Sequence, residues 1–120
     1  MIFFLGVSLA MYSCEKSVYI APELPDTVSF KKNIIPIFNI YCNSSNCHGG
    51  NFPQGNFSLE PSVAYQHLWN KSMIDTLYPE RSVLYAQMNG GNMIMPPSGR
   101  IDSFYVKEVL KWIQQKAKNN

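Results

Sequence analysis

Charge is scarce in this sequence. Lys, Arg, Asp and Glu make up 15% of its 120 residues, against about a quarter in an average domain. Ten cations against eight anions leave a formal +2, which excludes a strongly basic nucleic-acid binder on charge. No apolar run reaches the ~20 residues that a membrane-spanning helix needs. Internal repeats are absent, and the nearest approach to a strand is a short stretch from Met73 to Leu77. Eight Pro and seven Gly, with many Asn and Ser, exclude a long coiled coil or a plain helical bundle. Cysteine is sparse too: there are three, an odd number, so one serves apart from the other two. The length allows one domain and no more.

What the chain does have begins at its N-terminus. Residues 1–13 carry no charge and are its most apolar stretch, from Ile2 through Met11 to the small Ser13 before Cys14. This reads as the apolar region of an export signal, although the usual positive residues are missing ahead of it. An apolar run, a small residue and then Cys resembles a bacterial lipoprotein signal, which makes Cys14 the expected lipidation site. Residues 14–28 are polar and broken by Pro22 and Pro25, as an extended tether would be. The remaining 92 residues, 29–120, hold nine cations against five anions and form the folded domain.

Within that domain the pattern is helical, and the expected class is all-α. Ser29 is placed to cap a helix through Ile34, Ile37, Phe38 and Tyr41, with Pro36 kinking or breaking it. Short helices are expected at Pro61–Trp69 and at Pro79–Met88. Asn43–Asn56 and Asn89–Arg100 are rich in Asn, Ser, Gly and Pro, and read as loops. The clearest element starts at Asp102 or Ser103. Its Val106, Val109, Leu110, Ile113 and Ala117 recur at helical spacing. Lys107, Lys111, Lys116 and Lys118 occupy its solvent side and C-terminal end, which suits the helix dipole.

The chemistry is concentrated at Cys42-Asn-Ser-Ser-Asn-Cys47-His48. Cys-x-x-Cys-His is the attachment signature of haem c, and here four residues separate the cysteines instead of two. Five positions of a regular helix turn by about 500 degrees, leaving the two side chains about 140 degrees apart. A bulged turn, for which Asn-Ser-Ser-Asn is well suited, is needed to bring both sulfurs to one place. Three other readings stay open. Cys42 and Cys47 could form a disulfide, they could join His48 and His67 around zinc, or His48 could be a surface residue.

A second cluster, Met93-Ile94-Met95-Pro96-Pro97, lies directly before the last helix, with Met95 47 residues beyond His48. A thioether is a soft, neutral ligand for haem iron. The two prolines restrict the backbone at Met95 and help aim its side chain. Gap-filling beneath a loop is the competing role for Met93 and Met95.

Taken in order, these pieces resemble a small monohaem c-type cytochrome, closest to the lipid-anchored bacterial cytochrome c domain proteins. The likeness runs through Ile35-Pro36-Ile37-Phe38, Cys47-His48-Gly49-Gly50, Pro79 to Tyr85, Met95-Pro96-Pro97 and Lys111-Trp112-Ile113. It covers about residues 29 to 117, and the four-residue spacer is its main departure. The resemblance implies a small helical fold wrapped around one covalently attached haem, with the first and last helices crossing beside it. It further implies thioether bonds at Cys42 and Cys47, His48 as the proximal iron ligand and Met95 as the distal one. Tyr105 and Trp112 are expected in the core, or against the haem edge.

Iron with both axial positions filled has no open position for substrate. The expected role is therefore electron transfer and not catalysis, as a free carrier or as the haem subunit of a larger redox complex. Its partners would be redox proteins and, through the lipid on Cys14, a bacterial membrane at the periplasm or cell surface. The alternative is a haem-free secreted lipoprotein in which a Cys42–Cys47 disulfide staples a binding module.

Overall fold

The computed structural model of the chain describes residues 20–120. The expected export segment and Cys14 lie outside the described residues. Described residues form helices and turns with no strand, and none of these helices is long and apolar enough to cross a membrane.

The first helix changes its winding at Pro36. Phe30–Ile34 form one wide π-type turn that passes directly into α1, Ile35–Tyr41. Pro36 has no N–H to return to a preceding carbonyl, and the turn before it closes with long bonds instead, Ile34 N to Ser29 O and Ile35 N to Phe30 O. Ser29 caps the start as expected, its Oγ accepting from Lys32 N at 3.2 Å. The cap is completed from the far end of the chain. Asn120 accepts from Phe30 N through Oδ1 at 2.9 Å and from Lys31 N through its main-chain oxygen at 2.9 Å. Three N–H groups that a helix start leaves unpaired are thereby satisfied.

Helix α2, Ala64–Asn70, begins three residues later than its apolar pattern suggested. Pro61 to Val63 are spent on a turn in which Val63 N and Ala64 N both bond to Glu60 O. The single helix expected over Pro79–Met88 is in fact two pieces, a 3-10 turn at Pro79–Arg81 and α3 at Val83–Met88. Ser82 separates them with ψ 128°. Its buried hydroxyl accepts from Asp75 N and donates to Asp75 O. The stretch Met73–Leu77 is consequently not a strand. Its Asp75 carboxylate accepts from Leu77 N and Tyr78 N, closing a turn.

Helix α4, Ser103–Gln114, is capped by Asp102, whose carboxylate accepts from Phe104 N at 2.8 Å. Val106, Val109 and Ile113 are buried as the spacing requires, and Leu110 is half-buried. Ala117 is buried too, although it lies beyond the helix. Lys116 and Ala117 take positive φ and turn the chain back, so that Trp112 Nε1 donates to Lys118 O at 2.9 Å. Trp112 stacks on Phe30 at 5.1 Å, which packs the last helix against the first.

The same contact contains a charge the periodicity concealed. Glu108 is 4% exposed and accepts from Asn33 Nδ2 at 2.8 Å. Burial pushes its carboxyl above the ordinary value of 4.5, while the Asn33 bond pulls it back down. A folded state that holds its proton more tightly than the unfolded chain is stabilised most below the unfolded value, and loses that stability as pH rises through the raised one. Glu108→Gln keeps the acceptor and removes the charge. It should raise the denaturation midpoint at pH 7 and leave it nearly unchanged at pH 4; an equal change at both values would reject this account.

Candidate functional site

Helix α1 delivers the first cysteine to its own end. Cys42 is the C-cap, its N–H donating to Phe38 O at 2.8 Å. The four residues that follow do not continue the helix. Cys47 N donates to Ser44 O at 2.9 Å and His48 N returns to Cys42 O at 3.0 Å, closing a compact loop. That loop is the bulge which the wide spacer requires, and Cys42 and Cys47 line one cavity as free thiols. Gly49 permits the closure. A Cβ there would sit 2.3 Å from the carbonyl oxygen of Asn43, too close for any side chain.

His48 is oriented from the segment Phe57–Leu59. Its Nδ1 lies 2.8 Å from Phe57 O, and Leu59 N donates to His48 O at 2.9 Å. A carbonyl only accepts, so Nδ1 carries the proton and the Nε2 lone pair is free. The buried Phe57 ring meets the imidazole edge-on at 5.2 Å and restricts its rotation. Metal-binding histidines are commonly held in this way, by a carbonyl at the other ring nitrogen.

The cavity has a volume of about 730 Å³, within the range of small-molecule and cofactor sites. Cys42, Cys47 and His48 line it together with Met93, Met95, Pro96 and Pro97 from the loop before α4. Tyr41, Phe57 and Met73 also line it. Met95 is half-buried and its N–H is tied to Gln87 O at 3.0 Å, while Met93 is 60% exposed. Met88, by contrast, is buried in the core and does not reach the cavity.

His67 is outside this group. It stacks on Phe57 at 6.3 Å, and its Nδ1 accepts from Ser58 N at 2.9 Å. In the neutral ring the proton then sits on Nε2, leaving no free lone pair for a metal. No group of three His, Cys, Asp or Glu side chains that could hold a metal ion occurs among the described residues. The zinc arrangement of Cys42, Cys47, His48 and His67 is therefore not assembled.

Burial, reinforced by the neighbouring Cys47 thiol, pushes the Cys42 thiol up to about 12. Thiol–disulfide exchange and thiolate–metal binding both need the ionised sulfur, which Cys42 does not supply at neutral pH. What the cavity offers is two thiols, one imidazole nitrogen and the thioethers of Met73, Met93 and Met95 within largely apolar walls. No family model, curated protein or solved structure matches the chain. The site therefore has to be interpreted from its own chemistry.

Sequence reasoning located Cys42, Cys47, His48 and Met95, and these four share the cavity. It missed Phe57, which has no local signature because it acts through its carbonyl on a histidine nine residues earlier. Lys71 and Met73 reach the cavity from the turn after α2, Gln54 from the segment beyond His48 and Gln87 from α3, and no local signature marks any of them.

Proposed function

We propose that this chain is an exported c-type cytochrome that transfers electrons through one covalently bound haem. The observation that carries the reading is one largely apolar cavity lined by two thiols, methionine thioethers and a histidine whose Nε2 has no hydrogen-bond partner among the described residues. Neutral nitrogen and sulfur donors suit haem iron, and His/Met ligation favours a high reduction potential. When bound, the haem supplies a one-electron iron centre.

The chain's own residues account for the rest. Cys42 and Cys47 would hold the haem through thioether bonds, formed by adding each S–H across a vinyl C=C with no oxidant consumed. His48, positioned by its bond to Phe57 O, and Met95 would hold the iron. Phe57, Tyr41 and Met73 would exclude water from the cavity. A haem held in this way would exchange electrons and offer no position to substrate. Lipid on Cys14 would tether the domain at the periplasmic or cell surface, where redox proteins reach it.

Expression of the full chain, exported in a bacterial host that attaches haem c, tests the reading. The expected product is red, has sharp absorption bands when reduced, and gains the mass of one haem. A colourless product with a Cys42–Cys47 disulfide would overturn it in favour of a haem-free binding module.

A further inference from the structure

Charge in the cavity lining is of one sign. Among the described residues, Lys71 is the only Lys, Arg, Asp or Glu in the lining. Its other polar side chains include the Tyr41 phenol, the His48 imidazole and the amides of Asn46, Gln54 and Gln87. Such a cavity complements a ligand with a large apolar body and a negatively charged edge. Haem has that form, since its two propionates are its only charged periphery. A carboxylate brought against apolar walls needs a cation or several hydrogen bonds to offset its desolvation.

The backbone that presents Lys71 is firmly built although its side chain is exposed. Lys71 terminates α2, with its N–H on His67 O at 3.0 Å. Ser72 follows at φ 53°, its N–H on Trp69 O at 3.0 Å. Met73 is then held on both sides, through Met73 N to Leu68 O at 2.9 Å and Leu84 N to Met73 O at 3.1 Å. The turn thereby brings Lys71 and Met73 to the same cavity.

We propose that Lys71 is the cation that pairs with a haem propionate, and that it raises the reduction potential of the iron. The inference rests on the haem reading above. A positive charge near the ring stabilises the reduced iron, which carries one positive charge fewer than the oxidised form. Removing or reversing that charge lowers the potential, and salt weakens the effect because the ammonium is exposed to solvent.

The experiment measures the potential of the haem-loaded full chain as parent, K71R, K71Q and K71E, at low and high ionic strength. K107Q, which removes an exposed lysine outside the cavity lining, serves as the control. The potential is expected to fall in K71Q, to fall further in K71E and to hold in K71R and K107Q. The differences should narrow at high salt. A purely structural role for Lys71 would not follow the sign of the charge. Haem-loaded K71Q and K71E at the parent's potential, or an equal fall in K107Q, would overturn the assignment while leaving the cytochrome reading intact. A parent that acquires no haem would overturn both.

Discussion

The double variant Cys42→Ala/Cys47→Ala is expected to be haem-free and poorly folded, without a sharp unfolding transition. The cavity, about 730 Å³, opens to solvent, so without a ligand it fills with water or collapses. Small domains have only about 5 to 15 kcal/mol of total stability to set against the apolar burial lost in this way. Filling leaves Phe57, Met73 and Met95 against solvent, and collapse displaces the loops that carry them. Phe57–Leu59 is tied to the cysteine loop by the His48 bonds and by Asn43 Nδ2 to Leu59 O, and to α2 by Ser58 N to His67 Nδ1. The methionine loop is tied to α3 through Met95 N and Gln87 O. A ligand bonded to Cys42 and Cys47 and touching both loops would replace that missing interior, as small domains often require. Far-ultraviolet and near-ultraviolet circular dichroism during denaturant titration checks this. A cooperative transition close to that of the parent would count decisively against it.

How much of this could be seen in the sequence follows from the range of each interaction. Helix α4 was legible because Val106, Val109 and Ile113 state its buried face within three turns, and Asp102 announces its start. Cys42, Cys47, His48 and Met95 were legible because sulfur and imidazole are scarce residue types in suggestive order. The π-type turn before Pro36 was only half legible, since a missing donor predicts a disturbance and not its form. The division of the 79–88 segment was hidden, because Ser82 breaks it by bonding to Asp75. Ala117 kept its buried position but left the helix, turned back by the Trp112–Lys118 bond. Asn120 on the first turn, Glu108 against Asn33 and Phe57 behind His48 are all partnerships that periodicity does not encode. A pattern of spacing shows which face is apolar. It does not show which distant polar group arrives to satisfy a particular N–H.

Met95→Ala should remove the thioether-to-iron absorption and lower the reduction potential while the haem stays attached through its thioether bonds. The structure separates Met95 from Met88, Met93 and His67 as the second iron ligand. Met88 is 3% exposed within the core and does not line the cavity. His67 stands outside it with Nδ1 committed to Ser58 N. Met93 does line it, but is 60% exposed on a stretch with less to fix its direction. Met95 is half-buried, anchored through its N–H to Gln87 O, and followed by Pro96 and Pro97 in the same lining. A side chain fixed at its backbone loses less freedom on binding a metal than an exposed one. Met93→Ala should accordingly keep both the band and the potential. Recording the oxidised spectrum and the potential of the two variants decides between them. Loss of both signals in Met93→Ala and their retention in Met95→Ala would move the ligand two residues upstream. Their retention in both variants would exclude Met93 and Met95 as the sole ligand and move the thioether to Met73, the other methionine of the lining.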